Sequence, residues 1–426
     1  MDLTARQRRT AAVAALLGNA LEWYDFAVYG YVASALGKAF FPAEVPVLQT
    51  MASFAVFAVG YLMRPVGSLV LGPLGDLLGR RLMLSLSIVI MGLSSLAIGL
   101  LPTHSQIGIT AGILLMLLRM LQGFSVGGEF TGSITYASEA AARGRAGLLS
   151  SVATAGGLVG FSLGSLTAAV VGWCLGQSAM EAWGWRLPFL LGALVAALGA
   201  WMRRAMPETL QLEAETPSLR SLSDFSAAMA IRLRELLGAW RLVLQVMGLV
   251  TFANVVFYLA FVFLVDFTGE QLGDSATANS VATLLQTIGL PLVLLGGALA
   301  DRWGLARANR WSNLALMVVT PIGLLIGLQG TASSLALALA VLLLPLMATM
   351  GAQGVLGVAL VPVHQRCAVF SIGYSLAMAL FAGSSPLVAT WFRQEHVERW
   401  AIPAYALVFG LWALVAVRRS RLQQTF

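Results

Sequence analysis

Five charged residues stand inside otherwise apolar runs: Glu22 and Asp25 in GNALEWYDFAVYG, Arg64 in YLMRPVG, and Arg119 and Glu129 in RMLQGFSVGGEF. A charge in a hydrocarbon interior is costly unless it is paired or faces water, so it marks a functional site by default. At ~1.5 Å of rise per residue, Glu22 lies ~18 Å beyond Thr10, close to the middle of its run. Asp25 follows one turn later and Tyr29 at i+7, which reads as one shared face. In the fourth run Arg119 falls near mid-depth, and Gln122 and Glu129 share a face at i and i+7.

Three acids against two arginines leave one carboxylate without a cationic partner. In a low dielectric such a group favours its protonated form, which suits it to hold and release a proton. An arginine freed from its pair offers two parallel donors to a carboxylate on a solute. The competing reading is a structural ion-pair network, but burying such a network rarely improves on apolar packing. Glu22, Asp25 and Glu129 are therefore candidate proton-coupling acids, with the choice among them open. Arg119 is the first candidate for a solute carboxylate and Arg64 the second. Tyr29, Gln122, Asn254 and Tyr258 are candidate lining residues. Gln286, Gln353 and Tyr374 are further neutral polar groups in the second half, whose runs carry no clearly interior charge.

The elements that must position these residues follow from composition. The chain of 426 residues is 58% hydrophobic and 11% charged, where a soluble chain carries about 25% charged residues. Apolar stretches of ~20 residues recur throughout, each long enough for a hydrocarbon core of ~30 Å. They lie near 11–35, 50–75, 82–101, 106–132, 148–172, 184–202, 239–265, 277–299, 311–328, 332–358, 367–391 and 401–417. This is an all-α membrane protein with twelve spans and no cleavable signal-peptide pattern. Of its 26 Lys and Arg, two lie inside spans, and only Lys38, Arg186, Arg393 and Arg399 fall on one side. That asymmetry places both termini in the cytoplasm. The net charge of +7 is thus a topology signal, and no nucleic-acid partner is expected. Cys174 and Cys367 fall at opposite faces, which excludes a disulfide between them. His104, His364 and His396 are scattered, so no metal site is expected.

Spans one to six are followed by a polar segment with Pro207 and Pro217, in which Ser221 to Trp240 reads as an amphipathic helix on the inner surface. The expected organisation is a six-helix bundle (1–202), a cytoplasmic connector (203–238) and a second six-helix bundle (239–426). GPLGDLLGRR, from Gly72 to Arg81, and GALADRWGLAR, from Gly297 to Arg307, stand at corresponding places and share G-x-x-x-D-x-x-G. Two copies six helices apart point to duplication and to a central site between paired halves. In each copy the aspartate is expected to cap the next helix, and Asp76, Arg80, Arg81, Asp301 and Arg302 are candidate gating residues. Gly156, Gly160 and Gly164 form a row for close approach of a neighbouring helix. Trp183, Trp185, Trp201, Trp240, Trp391 and Trp400 read as interfacial anchors.

GNALEWYDFAVYGYVASALGKAFFP, YLMRPVGSLVLGPLGDLLGRR, RMLQGFSVGGEFTGS and EAWGWRLPF resemble the metabolite–proton symporters of the major facilitator superfamily, over nearly the whole chain. The resemblance implies the major facilitator fold, two pseudo-symmetric six-helix bundles, and proton symport of a small metabolite by alternating access in a bacterial inner membrane. The first span and GKAFFP are most similar to proline/betaine carriers. FAVFAVGYLMRP and FSIGYSLAMALFAGSSPLVATWF are closer to citrate and ketoglutarate carriers. The chain stops at Phe426, without the coiled-coil tail of some osmosensing carriers, so osmotic regulation by that route is not expected. Leu77, Leu305, Ala306 and Ala146 stand where the family usually has basic residues, which implies weaker cytoplasmic closure.

The reading is a non-enzymatic symporter of a small carboxylate-bearing solute, an organic acid or a proline/betaine-type zwitterion. It needs no cofactor beyond the proton as coupling ion, and it works as a monomer in the bilayer. A proton antiporter exporting drugs or metabolites is the alternative within transport. A transport-dead sensor or receptor is the alternative from another class. No nucleophile–base pair or nucleotide loop suggests an enzyme.

Overall fold

The computed structural model describes residues 5–43, 46–78, 80–127, 129–139, 141–142, 144–204, 226–227, 230, 233–234, 237–362 and 365–418. Within these, the side chains of 5–15, 72–85, 129, 198–204 and 367 lie outside the description. Twelve helices correspond to the twelve expected spans. The first six are α1 (Ala5–Tyr31), α2 (Pro46–Leu78), α3 (Arg80–Leu100), α4 (Thr110–Glu139), α5 (Ala146–Leu175) and α6 (Arg186–Arg204). The second six are α7 (Trp240–Leu272), α8 (Ser275–Trp303), α9 (Leu305–Gly327), α10 (Ala332–Leu360), α11 (Ala368–Gln394) and α12 (Ala401–Arg418). Among the described residues, nine helices are long and apolar enough to cross a membrane, and Leu86–Leu100 of α3 and Arg186–Ala197 of α6 are shorter apolar helices. α1 is less apolar because it carries arginines at its start and two acids in its body.

Large apolar side chains such as Leu93, Ile113, Leu194, Val318, Leu344 and Val408 are exposed around the bundle. An apolar surface of that extent fits lipid, not water. The most apolar stretch of α7 is instead buried throughout, so this helix runs inside the protein against both halves. The halves meet where α5 packs on α8 and α2 packs on α11. At the first junction Gly147 and Gly297 face each other, and a methyl group on either would overlap the other's carbonyl oxygen.

Departures from regular helix lie close to the centre. α4 stops at Ser125, turns through Val126 and Gly127, and resumes at Glu129. α7 and α11 each contain a wide π-helical turn, Leu259–Phe263 and Met378–Ala382, a feature common at functional sites. In the connector, the described residues 226–227, 230, 233–234 and 237–238 are helical, with Leu233 and Leu237 exposed one turn apart.

Two expectations need correction here. Trp185 is no interfacial anchor: it is fully buried, against Phe40 at 5.3 Å and under the Arg186 guanidinium at 4.3 Å. Arg186 also donates to the carbonyls of Gly99 and Leu101, so GWR fastens the start of α6 to the end of α3. Trp183, Trp240, Trp391 and Trp400 are exposed, as anchors should be, and the Trp201 side chain lies outside the described residues. Asp301 does not cap the helix that follows it. The N-cap of α9 is Gly304, with φ +91° and no side-chain cap, and Asp301 serves a helix of the other half, described below.

Candidate functional site

The glycine row on α5 seats α1. Gly156, Gly160 and Gly164 face Leu16, Ala20 and Ala27, and Gly157 lies under the Trp23 ring. Without side chains on α5 the two backbones come into near contact, which fixes the rotation and depth of α1. α2 and α4 are joined the same way: a methyl group at Gly123 would overlap the Gly60 carbonyl, and one at Gly67 would overlap that of Phe124. These contacts hold α1, α2 and α4 rigidly enough to position four interior charges.

Glu22 and Arg64 form an ion pair at 2.5 Å, each side chain only 2% exposed. The Arg64 guanidinium also lies 4.9 Å from the Trp23 ring, 5.3 Å from Phe26 and 5.6 Å from Tyr61. Nε and Nη1 of Arg64 make no hydrogen bond. Arg119 is fully buried over the rings of Tyr29 at 4.4 Å, Phe26 at 4.8 Å and Phe57 at 5.8 Å. Its Nη1 donates to Gln122 at 2.7 Å, and Gln122 donates in turn to Ser95 at 2.8 Å. Among the described residues no carboxylate pairs with Arg119. Among the described residues, then, Glu22 and Arg64 form a tight pair and Arg119 stands apart from it.

Asp25 takes a different direction from Glu22. Tyr29, at i+7, stays with Glu22 on the α2 side and donates to the Ser53 carbonyl at 3.2 Å. Asp25, about 60° further round the helix, turns toward Ser95 of α3 and Gly192 of α6, and its Oδ1 has no hydrogen-bond partner. The shared face expected for all three therefore holds only for Glu22 and Tyr29. Gln122 uses both ends of its amide on Arg119 and Ser95, which makes it a positioning residue. The Glu129 side chain lies outside the described residues, as do those of Asp76, Arg80 and Arg81.

Between the halves lies a central cavity of ≈ 20 Å³, lined by Trp23, Phe130, Phe161, Asn254, Tyr258 and Tyr374 among others. That is room for about one water. The structure places Asn254, Tyr258 and Tyr374 in this lining, and the Tyr374 hydroxyl donates to Asn254 Oδ1 at 3.5 Å. The hydroxyls of Tyr61 and Tyr258 share a short hydrogen bond across the halves. Gln286 is bonded to Tyr31 and Ser165, and Gln353 is buried with its Oε1 unpartnered. Tyr61, Trp23, Phe130 and Phe161 escaped the sequence reading because aromatic residues in an apolar run look like ordinary packing. The placement of Tyr61 one turn before Arg64, and of Trp23 beside Glu22, was the available signal. A larger cavity of ≈ 260 Å³, lined by Phe267, Phe392, Arg393 and Arg399, belongs to the second half alone and lies away from the four described charges.

Both ends of the molecule are closed by contacts between the halves. At the end carrying the α8–α9 turn, the Asp301 carboxylate accepts from the backbone N–H groups of Gly147 and Leu148 at 2.7 and 2.8 Å. It thereby caps the N-terminus of α5, where the helix dipole favours an anion. Arg366 pairs with Glu139 at 2.6 Å, and Ser68 bonds Ser371 at 3.3 Å. Arg302 is exposed. At the opposite end Asp266 accepts from the Ser34 N–H at 3.3 Å, and Glu270 accepts from the Thr50 hydroxyl at 2.8 Å. Ser275 donates to Gln177 at 2.8 Å. Among the described residues the halves therefore touch at both ends, and the centre between them is nearly filled. Among the described residues no group of His, Cys, Asp and Glu could hold a metal ion.

Comparison with known proteins agrees with this architecture. The sequence pattern of the family described as "Sugar (and other) transporter" matches residues 10–222. The glycine betaine/proline/ectoine/pipecolic acid transporter OusA of Dickeya dadantii is 34% identical over 404 residues, covering 94% of this chain and 80% of its own. The proline/betaine transporter of Escherichia coli K12 is 33% identical over the same length, with the same coverage. Among solved structures, the xylose transporter XylE of E. coli in a partially occluded inward-open conformation superimposes with a TM-score of 0.75 at 16% identity, covering 98% of both chains. A D-xylose–proton symporter gives 0.72 at 18% identity, over 96% of this chain and 95% of that one. These structural likenesses speak for the fold alone.

Proposed function

Because the chain belongs to the sugar (and other) transporter family of the major facilitator superfamily, we propose that this membrane transporter is a proton-coupled symporter of a small zwitterion of the proline/betaine type. The two moving bodies are residues 1–202 and 239–426, joined by the connector 203–238. The basic loops and both termini face the cytoplasm of a bacterial inner membrane. The observation that carries the reading is the buried Glu22–Arg64 pair at 2.5 Å, directly behind the Trp23 wall of the central cavity.

A proton arriving from outside neutralises Glu22 and ends the ion pair. Arg64 is then a buried cation without a counter-charge, and the carboxylate of the solute supplies one. Its Nε and Nη1, already free of hydrogen bonds, offer the parallel donors that a carboxylate accepts. The halves close over the solute and reopen inward by alternating access. The solute leaves, Glu22 gives up its proton, and the pair re-forms to reset the empty carrier.

The coupling lies in what this arrangement forbids. A proton without solute strands the Arg64 charge in a low dielectric, which is strongly unfavourable. A solute without a proton brings a second carboxylate against Glu22. Only the empty paired carrier and the doubly loaded carrier are neutral at the pair, so only these cross. Asp25, one turn along α1 from Glu22 and with its Oδ1 unpartnered, is the acid through which a proton reaches or leaves Glu22. The substrates for which the relatives are named favour the zwitterion over the organic acid.

The test is external pH in lightly buffered proteoliposomes on addition of proline, glycine betaine, citrate, α-ketoglutarate or shikimate. Alkalinisation with proline or betaine is expected. Acidification would make the protein an exchanger, and zwitterion uptake without proton movement would refute the coupling.

A further inference from the structure

We infer that the central cavity selects its solute by the positive end, as an aromatic box for a methylated ammonium group. The inference rests on the zwitterion-symport reading and names what that reading leaves open. Trp23 of α1, Phe130 of α4, Phe161 of α5, Phe257 and Tyr258 of α7 and Tyr374 of α11 all line the cavity. Their rings form a continuous chain. Tyr374 lies 5.1 Å from Phe130, Phe130 5.2 Å from Trp23, Trp23 5.7 Å from Phe161, and Phe161 4.8 Å from Phe257 and 5.9 Å from Tyr258. Six rings from five helices, three in each half, converge on one point.

Among the described residues no charged side chain lines the cavity. The attraction these residues offer a cation is that of the ring faces for positive charge. Ring faces suit a weakly hydrated cation such as a methylated ammonium. A primary ammonium needs hydrogen-bond acceptors, and the cavity supplies few beyond Asn254, Thr154 and the two tyrosine hydroxyls. Asn254 is already engaged with Val250 and Tyr374. Burying N–H groups without partners is costly, so each methyl that replaces an N–H removes a penalty and adds contact with a ring. Arg64, 4.9 Å from the Trp23 ring on the first half, supplies the site for the opposite, carboxylate end. Because the rings belong to both halves and leave ≈ 20 Å³ between them here, room for the ammonium opens as the halves part around the solute.

The experiment is competition against radiolabelled proline on purified protein in proteoliposomes. The competitors are glycine, its mono-, di- and trimethylated derivatives, and 3,3-dimethylbutanoate. The last is the carbon counterpart of glycine betaine, with the same shape and carboxylate but no positive charge. Affinity is expected to rise with each methyl group. Betaine should bind at least tenfold more tightly than 3,3-dimethylbutanoate, a difference of about 1.4 kcal/mol. Phe161→Leu and Phe257→Leu, each nearly volume-conserving, should lower betaine affinity about tenfold and flatten the methylation series, with thermal melting in detergent checking that each variant folds. Equal competition by betaine and 3,3-dimethylbutanoate would overturn the box while leaving zwitterion symport standing. A protein that binds neither proline nor betaine, yet moves protons with a dicarboxylate, would overturn the transport reading itself.

Discussion

Replacing Glu22 by Gln should abolish the pH dependence of solute binding without abolishing binding. At the 2.5 Å separation of the pair, Coulomb attraction is about 6–7 kcal/mol at an effective dielectric constant of about 20. A solute carboxylate can take Arg64 only when that attraction has been cancelled by a proton on Glu22. By linkage, wild-type affinity should therefore fall about tenfold for each pH unit above the point where Glu22 loses its proton. Over two units that is about a hundredfold, well within what the pair can supply. Gln keeps the shape and an acceptor oxygen but has no charge to cancel. The variant should hold its solute with less than about twofold change over the same range, and take up no proton on binding. It should exchange labelled for unlabelled solute yet fail to accumulate it against a gradient. Removing one partner of a buried pair costs about 3–5 kcal/mol, so the empty variant should melt lower than wild type, and solute should restore much of the loss. Titration calorimetry in buffers of differing ionisation enthalpy reads affinity and proton uptake together. A Glu22→Gln variant with the wild-type pH slope and one proton taken up per solute would refute the mechanism.

Arg64→Lys keeps the charge but loses the planar fork, so zwitterion affinity should fall about 10–100-fold with the Glu22-dependent pH slope preserved; unchanged affinity in a binding assay would move the carboxylate site to Arg119. Gly160→Ala places a methyl group 2.5 Å from the Ala20 carbonyl and 2.8 Å from the Tyr24 nitrogen, and the forced parting of α1 and α5 should cost about 1–3 kcal/mol, read as a lower melting temperature in detergent. Asp301→Asn leaves one acceptor oxygen for the two N–H groups of Gly147 and Leu148 and loses the charge that favours the helix dipole; labelling of an engineered cysteine in the vestibule at that end should rise severalfold, because Asp301 and the Glu139–Arg366 pair join the halves there.

Much of this arrangement was legible in the sequence because it depends on local pattern. The twelve helices follow from recurrent apolar runs, and the seat of α1 follows from three glycines at four-residue spacing. The interior charges stood out against their surroundings. What the sequence withheld was partnership over long range. Glu22 lies 42 residues from Arg64, and nothing in either run says that Arg64, and not Arg119, holds it. The rotation of Asp25 toward α3 and α6 depends on how α1 sits against α5. Asp301 caps a helix 153 residues away, where helix-capping rules look only to the next turn of chain. The aromatic box was the least legible of all, since five helices each contribute a ring or two and none of those rings is unusual alone.

The order in which the two arginines matter is where structure and sequence part most clearly. Depth along the helix favoured Arg119, and depth was all the sequence offered. In the folded protein Arg119 is enclosed by Tyr29, Phe26 and Phe57, the last packed 5.9 Å from Tyr258 of the other half, and its guanidinium is tied to Gln122. Arg64 is also ringed by three aromatic side chains, of which Trp23 lines the cavity and Tyr61 is hydrogen-bonded to the other half. A group that must be bare in one state and paired in another has to lie where the two halves part. Arg64 meets that condition through Tyr61, whose hydroxyl bond to Tyr258 breaks whenever the halves separate, whereas Arg119 reaches the other half through the packing of Phe57 and keeps its bond to Gln122 within one helix. On the proposed mechanism, the acid that answers to Arg64, Glu22, is then the one whose proton is coupled to opening.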